Sequence, residues 1–384
     1  MCLEVYDPLE KWEGNLKSRV LPSLPRRNIH GGNVNNIHLL KEKGVQLLAT
    51  ADYYSYAANN LAVGLERLGI PVSGSIDHHN PTFSNFHFHE QPLDKGAGLL
   101  VVDILHRELD PKRPINVQGT GIPTCLLNME DDVDLFTFVG DNTIFRAHSN
   151  RHIHYPYPHE PIAFGISEFL ETHSKLHSSK YERAPEIIRN FRYSANQYVR
   201  KSLDMGFVPL LERFMTVNKK TDPHQSSREK FFEKLAKTFG CLAYGGNYVH
   251  REDEDASFRL SGNVPEEDIQ KILDSKYKKD CVIARWDSWR FWESIAMGCL
   301  TFQLDFEKYG FDLPVLPKSW EHYIGIDLDN IEPTIERLEA EKERLPEIAK
   351  AGRDWALAHY SPVPTTIRLL QKMGFATDEL ETPG

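Results

Sequence analysis

The chain has 384 residues, 40% hydrophobic and 26% charged, enough for two domains that each bury a core without disulfides or metals. Its apolar runs fall short of the roughly 18 residues needed to cross a bilayer, which excludes a membrane span. The opening MCLEVYDPLEKWEG lacks the pattern of a secretion signal, so a cytoplasmic location is expected. With 45 basic and 55 acidic residues the net charge is −10; this opposes non-specific attraction to a polyanion, so no nucleic acid is expected as partner, and any bound phosphate must be held by local positive charge.

Residues 1–44 are polar and irregular, with LPSLPRR and HGGNVNN as breakers. VQLLATA (45–51), SYAANNLAVGLERLG (55–69) and IPVSGSI (70–76) read as strand, helix and strand, the helix stopping at Gly69. GLLVVDI (98–104), PINVQG (114–119), DLFTFVG (134–140) and TIFRAH (143–148) are further predicted strands. A helix follows HIHYPYPHEP (152–161), and HSSKYERAP (177–185) has linker composition, which places a domain boundary near 180 and divides the chain into 1–180 and 181–384. The second series runs EIIRNF (186–191, strand), a helical region from Ala195 to Phe214, the helix SREKFFEKLAKTFG, CLAYGG, the helical EEDIQKILDSKY, then DCVIAR (280–285, strand), WRFWESIAMG (289–298, helix) and CLTFQLD (299–305, strand). This alternation predicts an α/β protein whose parallel sheets carry helices on both faces: two Rossmann-like domains facing across a cleft. A C-terminal helix from about Pro364 is expected to pack back toward the first domain. Cys2, Cys125, Cys241, Cys281 and Cys299 never form CxxC and read as buried reduced thiols.

Chemistry concentrates in Arg285–Gly298, RWDSWRFWESIAMG. Ligands of a doubly wound sheet sit beyond the carboxyl ends of its strands, so Arg285 to Arg290 should open onto the cleft. Ser288 can cap the helix, the helix N-terminus favours an anion, and Arg290 offers a planar fork suited to a diphosphate. Glu293 lies on the same face, where a carboxylate can accept both hydroxyls of a ribose; the same spacing also makes an ordinary ion pair. Upstream, Arg189, Arg192 and Arg200 cluster after a strand, and Gly245 and Gly246 permit close backbone approach to a base or sugar; a solvated helix face and a plain turn are the competing readings.

The segments GCLTFQLD and FDLPVLPKSWEHYIGIDLDNIEPTIERL extend this pattern. Over roughly 186–370 the chain resembles the C-terminal domain of two-Rossmann-domain (GT-B) glycosyltransferases, most of all exostosin-type enzymes, in Ser288, Arg290, Glu293, Gly298, Cys299, Asp305 and Pro314; SREKFFEKLAKTFG is similar to the family's Arg-bearing helix. The resemblance implies a nucleoside-diphosphate sugar of UDP or GDP type as donor, a glycan or other hydroxyl acceptor, Glu293 on the donor ribose and Arg290 on the diphosphate, with Arg285 and Ser288 beside them. Many retaining members carry a Glu where this chain has Arg285, which favours inversion. Arginines and a helix N-terminus can neutralise a diphosphate, so transfer is expected to need neither a metal nor a cofactor.

Inverting transfer needs a base for the acceptor hydroxyl, expected from the first domain. Asp52, after the first strand and before Tyr53, Tyr54 and Tyr56, is one candidate, with a helix N-cap as its competing role; His78 is an alternative, followed by His79, Asp141 and His148. His30 beside Gly31-Gly32 suits either a glycine-rich loop or an N-terminal arm. Seventeen histidines, including IDHH (76–79), HFHE (87–90) and HSNRHIH (148–154), raise a rival reading. Asp77-His78-His79 resembles the Asp-His-His motif of a metal-dependent phosphoesterase superfamily, but that family needs paired aspartates earlier, where ATADYYSYAANN supplies only Asp52. A noncatalytic nucleotide- or glycan-binding protein is the third possibility.

Overall fold

The computed structural model describes residues 36–104, 117, 119–129, 142–153, 155, 157–177, 182–191, 198–220, 227–250, 281–378 and 380. The expected strand DLFTFVG, the helix EEDIQKILDSKY, and the candidates His30, Asp141 and Arg192 lie outside these residues. Within them, the first half begins with helix α1 (Ile37–Lys43) and continues through β1 (Val45–Ala49), α2 (Tyr56–Arg67), β2 (Val72–Gly74), the hairpin β3 (His78–His79) and β4 (His87–Phe88), β5 (Leu99–Ile104), β6 (Thr124–Asn128), β7 (Thr143–Arg146), β8 (Glu160–Pro161) and α3 (Glu168–His177). Helix α1 falls inside the stretch read as irregular: the Asn36 side chain caps it by accepting from the His38 N–H, and Gly44 ends it at φ 74°. The buried strand β6, TCLLN, was not among the predicted elements; it lies downstream of the expected PINVQG.

The first sheet is parallel, with order β2-β1-β5-β6-β7-β8. Every residue of β1, β5 and β6 is buried, as strands covered on both faces require. The second half comprises β9 (Ala184–Ile188), α4 (Tyr198–Leu211), β10 (Thr216–Asn218), α5 (Arg228–Ala236), β11 (Thr238–Leu242), β12 (Asn247–His250), β13 (Cys281–Ala284), α6 (Trp289–Ala296), β14 (Leu300–Leu304), β15 (Ile324–Ile326), α7 (Ile331–Ala340), α8 (Leu345–Tyr360) and α9 (Pro362–Lys372). Its sheet is parallel in the order β10-β9-β11-β14-β15. Both halves are therefore Rossmann-like. In each, the first strand lies between the second and third, so the order reverses there and opens a crevice at the carboxyl edge.

DCVIAR departs from the expectation. Its strand β13 pairs antiparallel with β12 as a separate ribbon, Asn247 opposite Ala284 and His250 opposite Cys281, outside the parallel sheet. Helix α6 nevertheless provides the crossover from β11 to β14, so its N-terminus still reaches the carboxyl edge. Helix α9 returns to pack on α2, so closely that a Cβ on Gly64 would stand 2.1 Å from Thr366 Oγ1. The described residues pack as one unit, and no helix among them is long and apolar enough to cross a membrane. Cys125, Cys241 and Cys299 are free and buried.

Candidate functional site

The crevice of the second sheet opens between the ends of β9 and β11, where the chain continues as Arg189-Asn190-Phe191 and Ala243-Tyr244-Gly245-Gly246. Ser288 caps α6 and accepts the Arg290 N–H at 3.3 Å. Arg290 Nε donates to the Asn190 carbonyl at 3.0 Å, tying α6 to the end of β9, and Arg290 Nη1 forms an ion pair with Glu293. The pair is the helical i,i+3 contact that the spacing allowed, but it is not a solvated surface pair: the Glu293 side chain is only 7% exposed.

Three more arginines surround this pair. Arg200 reaches in from α4, its Nε donating to the Tyr244 carbonyl at 3.2 Å, and a Cβ placed on Gly245 would lie 3.8 Å from its Nη2 and 3.6 Å from Ser288 Cβ. Burial, with the neighbouring Arg290 cation, lowers the Arg200 pKa to about 10. Arg228, at the start of α5, lies over the rings of Phe83 at 4.4 Å and Trp289 at 5.0 Å; its pKa is lowered by burial, with Glu293 opposing that shift. Arg189 has a carboxylate of its own, its Nε donating to Asp204 at 2.8 Å while Tyr244 donates to the other oxygen of Asp204 at 2.9 Å. Four guanidinium groups thus gather around two carboxylates, Asp204 and Glu293, at the carboxyl edge of the sheet. Such a site attracts a polyanion. The Asn190 amide nitrogen is buried beside the pair with no hydrogen-bond partner among the described residues, a donor that a ligand oxygen would satisfy.

The first half closes over this edge through aromatic packing. Trp289 contacts Tyr56 at 4.3 Å, Phe83 at 5.4 Å and Phe164 at 5.4 Å between ring centres. The buried Asp287 carboxylate accepts the Phe164 N–H at 2.9 Å and the Trp292 indole N–H at 2.6 Å, while the Asp287 N–H donates to His148 Nδ1 at 3.0 Å. His148 is therefore a buried joint between the halves and not a free base. Burial raises the Asp287 pKa, against the pull of those hydrogen bonds and His148.

The structure brings Arg200, Gly245, Ser288, Arg290 and Glu293 together. Gly246, at φ 121°, supports the turn beside them, and Arg285, half-buried at φ 53°, stands at the bend into α6. Asp52 and His78 belong to the carboxyl edge of the first sheet. Asp52 is exposed in the loop before α2, and it is not the helix cap: Ser55 caps α2, accepting the Ala58 N–H at 3.2 Å. Tyr54 and Tyr56 are core residues; Tyr53, 38% exposed, is the one of the three that faces solvent. His78 turns inward, 6.0 Å from the Tyr54 ring, with its Nε2 buried, while Asp77 and His79 are exposed. Asp77, His78 and His79 therefore do not converge, because successive residues of a strand point to opposite faces. Sequence reasoning missed Asn190, and it did not connect Arg228 with Glu293; the Ser-Arg start of α5 was the available signal.

No protein-family profile matches the chain, and no curated protein matches it. Solved structures do. An alpha-glucosyltransferase in complex with UDP and a 13-mer DNA containing a HMU base is 9% identical, covering 86% of this chain and 99% of its own, at a TM-score of 0.48. An alpha-glucosyltransferase with UDP-glucose and DNA containing an abasic site gives 8%, 86%, 98% and 0.48. AviGT4, a glycosyltransferase involved in avilamycin A biosynthesis, gives 11%, 86%, 96% and 0.42. The likeness is one of fold. The expectation that excluded nucleic acid as partner is corrected here, since structures of this likeness hold DNA. Net charge sums over a whole surface, whereas phosphate contacts depend on local clusters, so −10 does not exclude them.

Proposed function

We propose that the chain is a glycosyltransferase that moves a sugar from a nucleoside-diphosphate sugar to a hydroxyl acceptor. The observation carrying this reading is the half-buried cluster of Arg200, Arg228 and Arg290 around the buried Glu293, beside an Asn190 amide with no partner among the described residues, at the switch point of the second sheet. In this reading Arg200, Arg228, Arg290 and the capped N-terminus of α6 hold the diphosphate, and Glu293 holds the ribose hydroxyls, as the exostosin-like pattern implies. Gly245 leaves room for the donor, and Arg285 stands beside it at the bend into α6. The half before about residue 180 presents the acceptor. We assign inversion, from Arg285 at the position where many retaining members of the fold class carry Glu, and metal independence, because the guanidinium groups offset the leaving diphosphate's charge. Asp52, exposed at the end of β1, is preferred over the inward-turned His78 as the base. Free, buried thiols suit a reducing compartment such as the cytoplasm.

The test compares UDP, GDP and inorganic pyrophosphate by calorimetry on wild type and Glu293→Gln. Removing the carboxylate makes the cluster more positive, so pyrophosphate should bind as tightly or tighter, while the nucleotide should bind at least tenfold more weakly through loss of its ribose contact. If neither UDP nor GDP binds the wild type, the donor site is wrong. Binding without turnover on any acceptor would leave a nucleotide-binding protein.

A further inference from the structure

The β3–β4 hairpin pairs His78 with Phe88 and His79 with His87, so these two pairs face opposite ways. Phe88 is buried and stacks on Tyr54 at 3.9 Å, which fastens one face to the core. On the other face His79 and His87 are exposed, their rings 5.3 Å apart. Two residues along each strand, on the same face, Asp77 and His89 meet, with His89 Nδ1 3.9 Å from Asp77 Oδ1 and the His87 and His89 ring centres 4.5 Å apart. Ligand atoms of Asp77, His87 and His89 all lie within 4.8 Å of one another.

We propose that the outward face of this hairpin binds one divalent transition-metal ion through Asp77, His87 and His89. Imidazole with carboxylate is the donor set of Zn²⁺, Co²⁺ and Ni²⁺, not of the oxygen-seeking Mg²⁺ or Ca²⁺. Ligands of a tetrahedral zinc ion stand ~3.3 Å apart, given metal bonds of ~2.0–2.1 Å, so the three need only rotamer adjustments. The Asp77 carboxylate is already oriented by the Glu90 N–H at 2.9 Å, the outer hydrogen bond that metal-binding carboxylates use. Water completes the coordination, with His79 close by as a further donor. The Asp-His-His resemblance drew attention to the consecutive Asp77, His78 and His79; the hairpin instead groups Asp77 with His87 and His89, from both of its strands. Bound metal would brace the loop that places Phe83 on Trp289 and the Thr82 carbonyl 3.4 Å from Arg228. The metal site stands independently of the donor reading.

The experiment titrates Co²⁺ into tag-free, chelator-treated full-length protein and follows the visible absorption of the bound ion, with Zn²⁺ as competitor. One Co²⁺ per chain should bind and be displaced by Zn²⁺. His87→Ala and His89→Ala should each weaken binding at least tenfold and Asp77→Asn about tenfold, while the exposed His152→Ala should not change it. All positions are exposed, so circular dichroism and Tm of the metal-free variants should match wild type. Absence of stoichiometric Co²⁺ binding at micromolar concentration, or undiminished binding by His87→Ala and His89→Ala, overturns the proposal.

Discussion

Replacing Arg200 by methionine separates the cost of the guanidinium cluster from its use. Burial and the Arg290 cation lower the Arg200 pKa from its ordinary value to about 10, a difference worth about 3 kcal/mol against holding the charged form in place. The unfolded chain keeps this proton to higher pH than the folded chain, which loses it near 10, so the penalty is complete at every pH below about 10 and fades only above it. Partial exposure of the guanidinium reduces this figure, and losing the Nε bond to the Tyr244 carbonyl costs about 1 kcal/mol. Arg200→Met should therefore stabilise the ligand-free protein by about 1–2 kcal/mol at pH 7.5, or roughly 1–3 °C in Tm. It should also weaken UDP or GDP roughly tenfold or more, since a charge-assisted hydrogen bond contributes about 1.5–3 kcal/mol. Urea unfolding and calorimetry read the two effects separately. A variant that is less stable than wild type and binds nucleotide equally well would refute the reasoning, making Arg200 a structural residue.

Gly246 adopts φ 121°, and a Cβ there would stand 2.5 Å from Ile283 Cγ2, so Gly246→Ala should cost about 1–3 kcal/mol in urea unfolding. The neighbouring Gly245→Ala meets nothing closer than 3.6 Å and should fold with near wild-type stability while weakening nucleotide binding; equal stability losses at both positions would contradict the geometry. His159, half-buried and near the Arg146 cation, has its pKa lowered by desolvation and that charge to about 4 from 6.5. Its folded form resists a proton that the unfolded chain accepts, so stability should fall between about pH 6.5 and 4, by up to about 3 kcal/mol. His159→Gln should flatten that decline, and an unchanged slope would remove His159 as its source. Asp52→Asn should lower kcat by at least a hundredfold without altering nucleotide affinity if Asp52 is the base; unaltered turnover would exclude it.

Much of the donor edge was legible because its signals are local. Arg290 and Glu293 stand three residues apart on one helix, so helical periodicity alone puts them on a common face, and Ser288 caps that helix. Gly69 and Gly298 mark helix ends for the same reason: each takes positive φ at a C-terminus, which the residue type itself favours. Asp52 shows the limit of such reasoning, since a capping residue and an exposed loop carboxylate look alike until Ser55 is seen to do the capping.

What the sequence determined by itself was the α/β class and the identity of the helix that carries the charged groups, because hydrophobic period and capping act within a few residues. The tertiary structure alone decided the partners. DCVIAR has strand composition in either setting, and only its pairing with Asn247–His250 made it a ribbon outside the sheet. Arg200 and Arg228 meet the Arg290–Glu293 pair, and Asn190 lends it a carbonyl, across wide gaps in sequence. The cross-strand grouping of Asp77, His87 and His89 likewise depends on hairpin register. Such contacts arise from how separate elements pack, and no local pattern of residues encodes that distance.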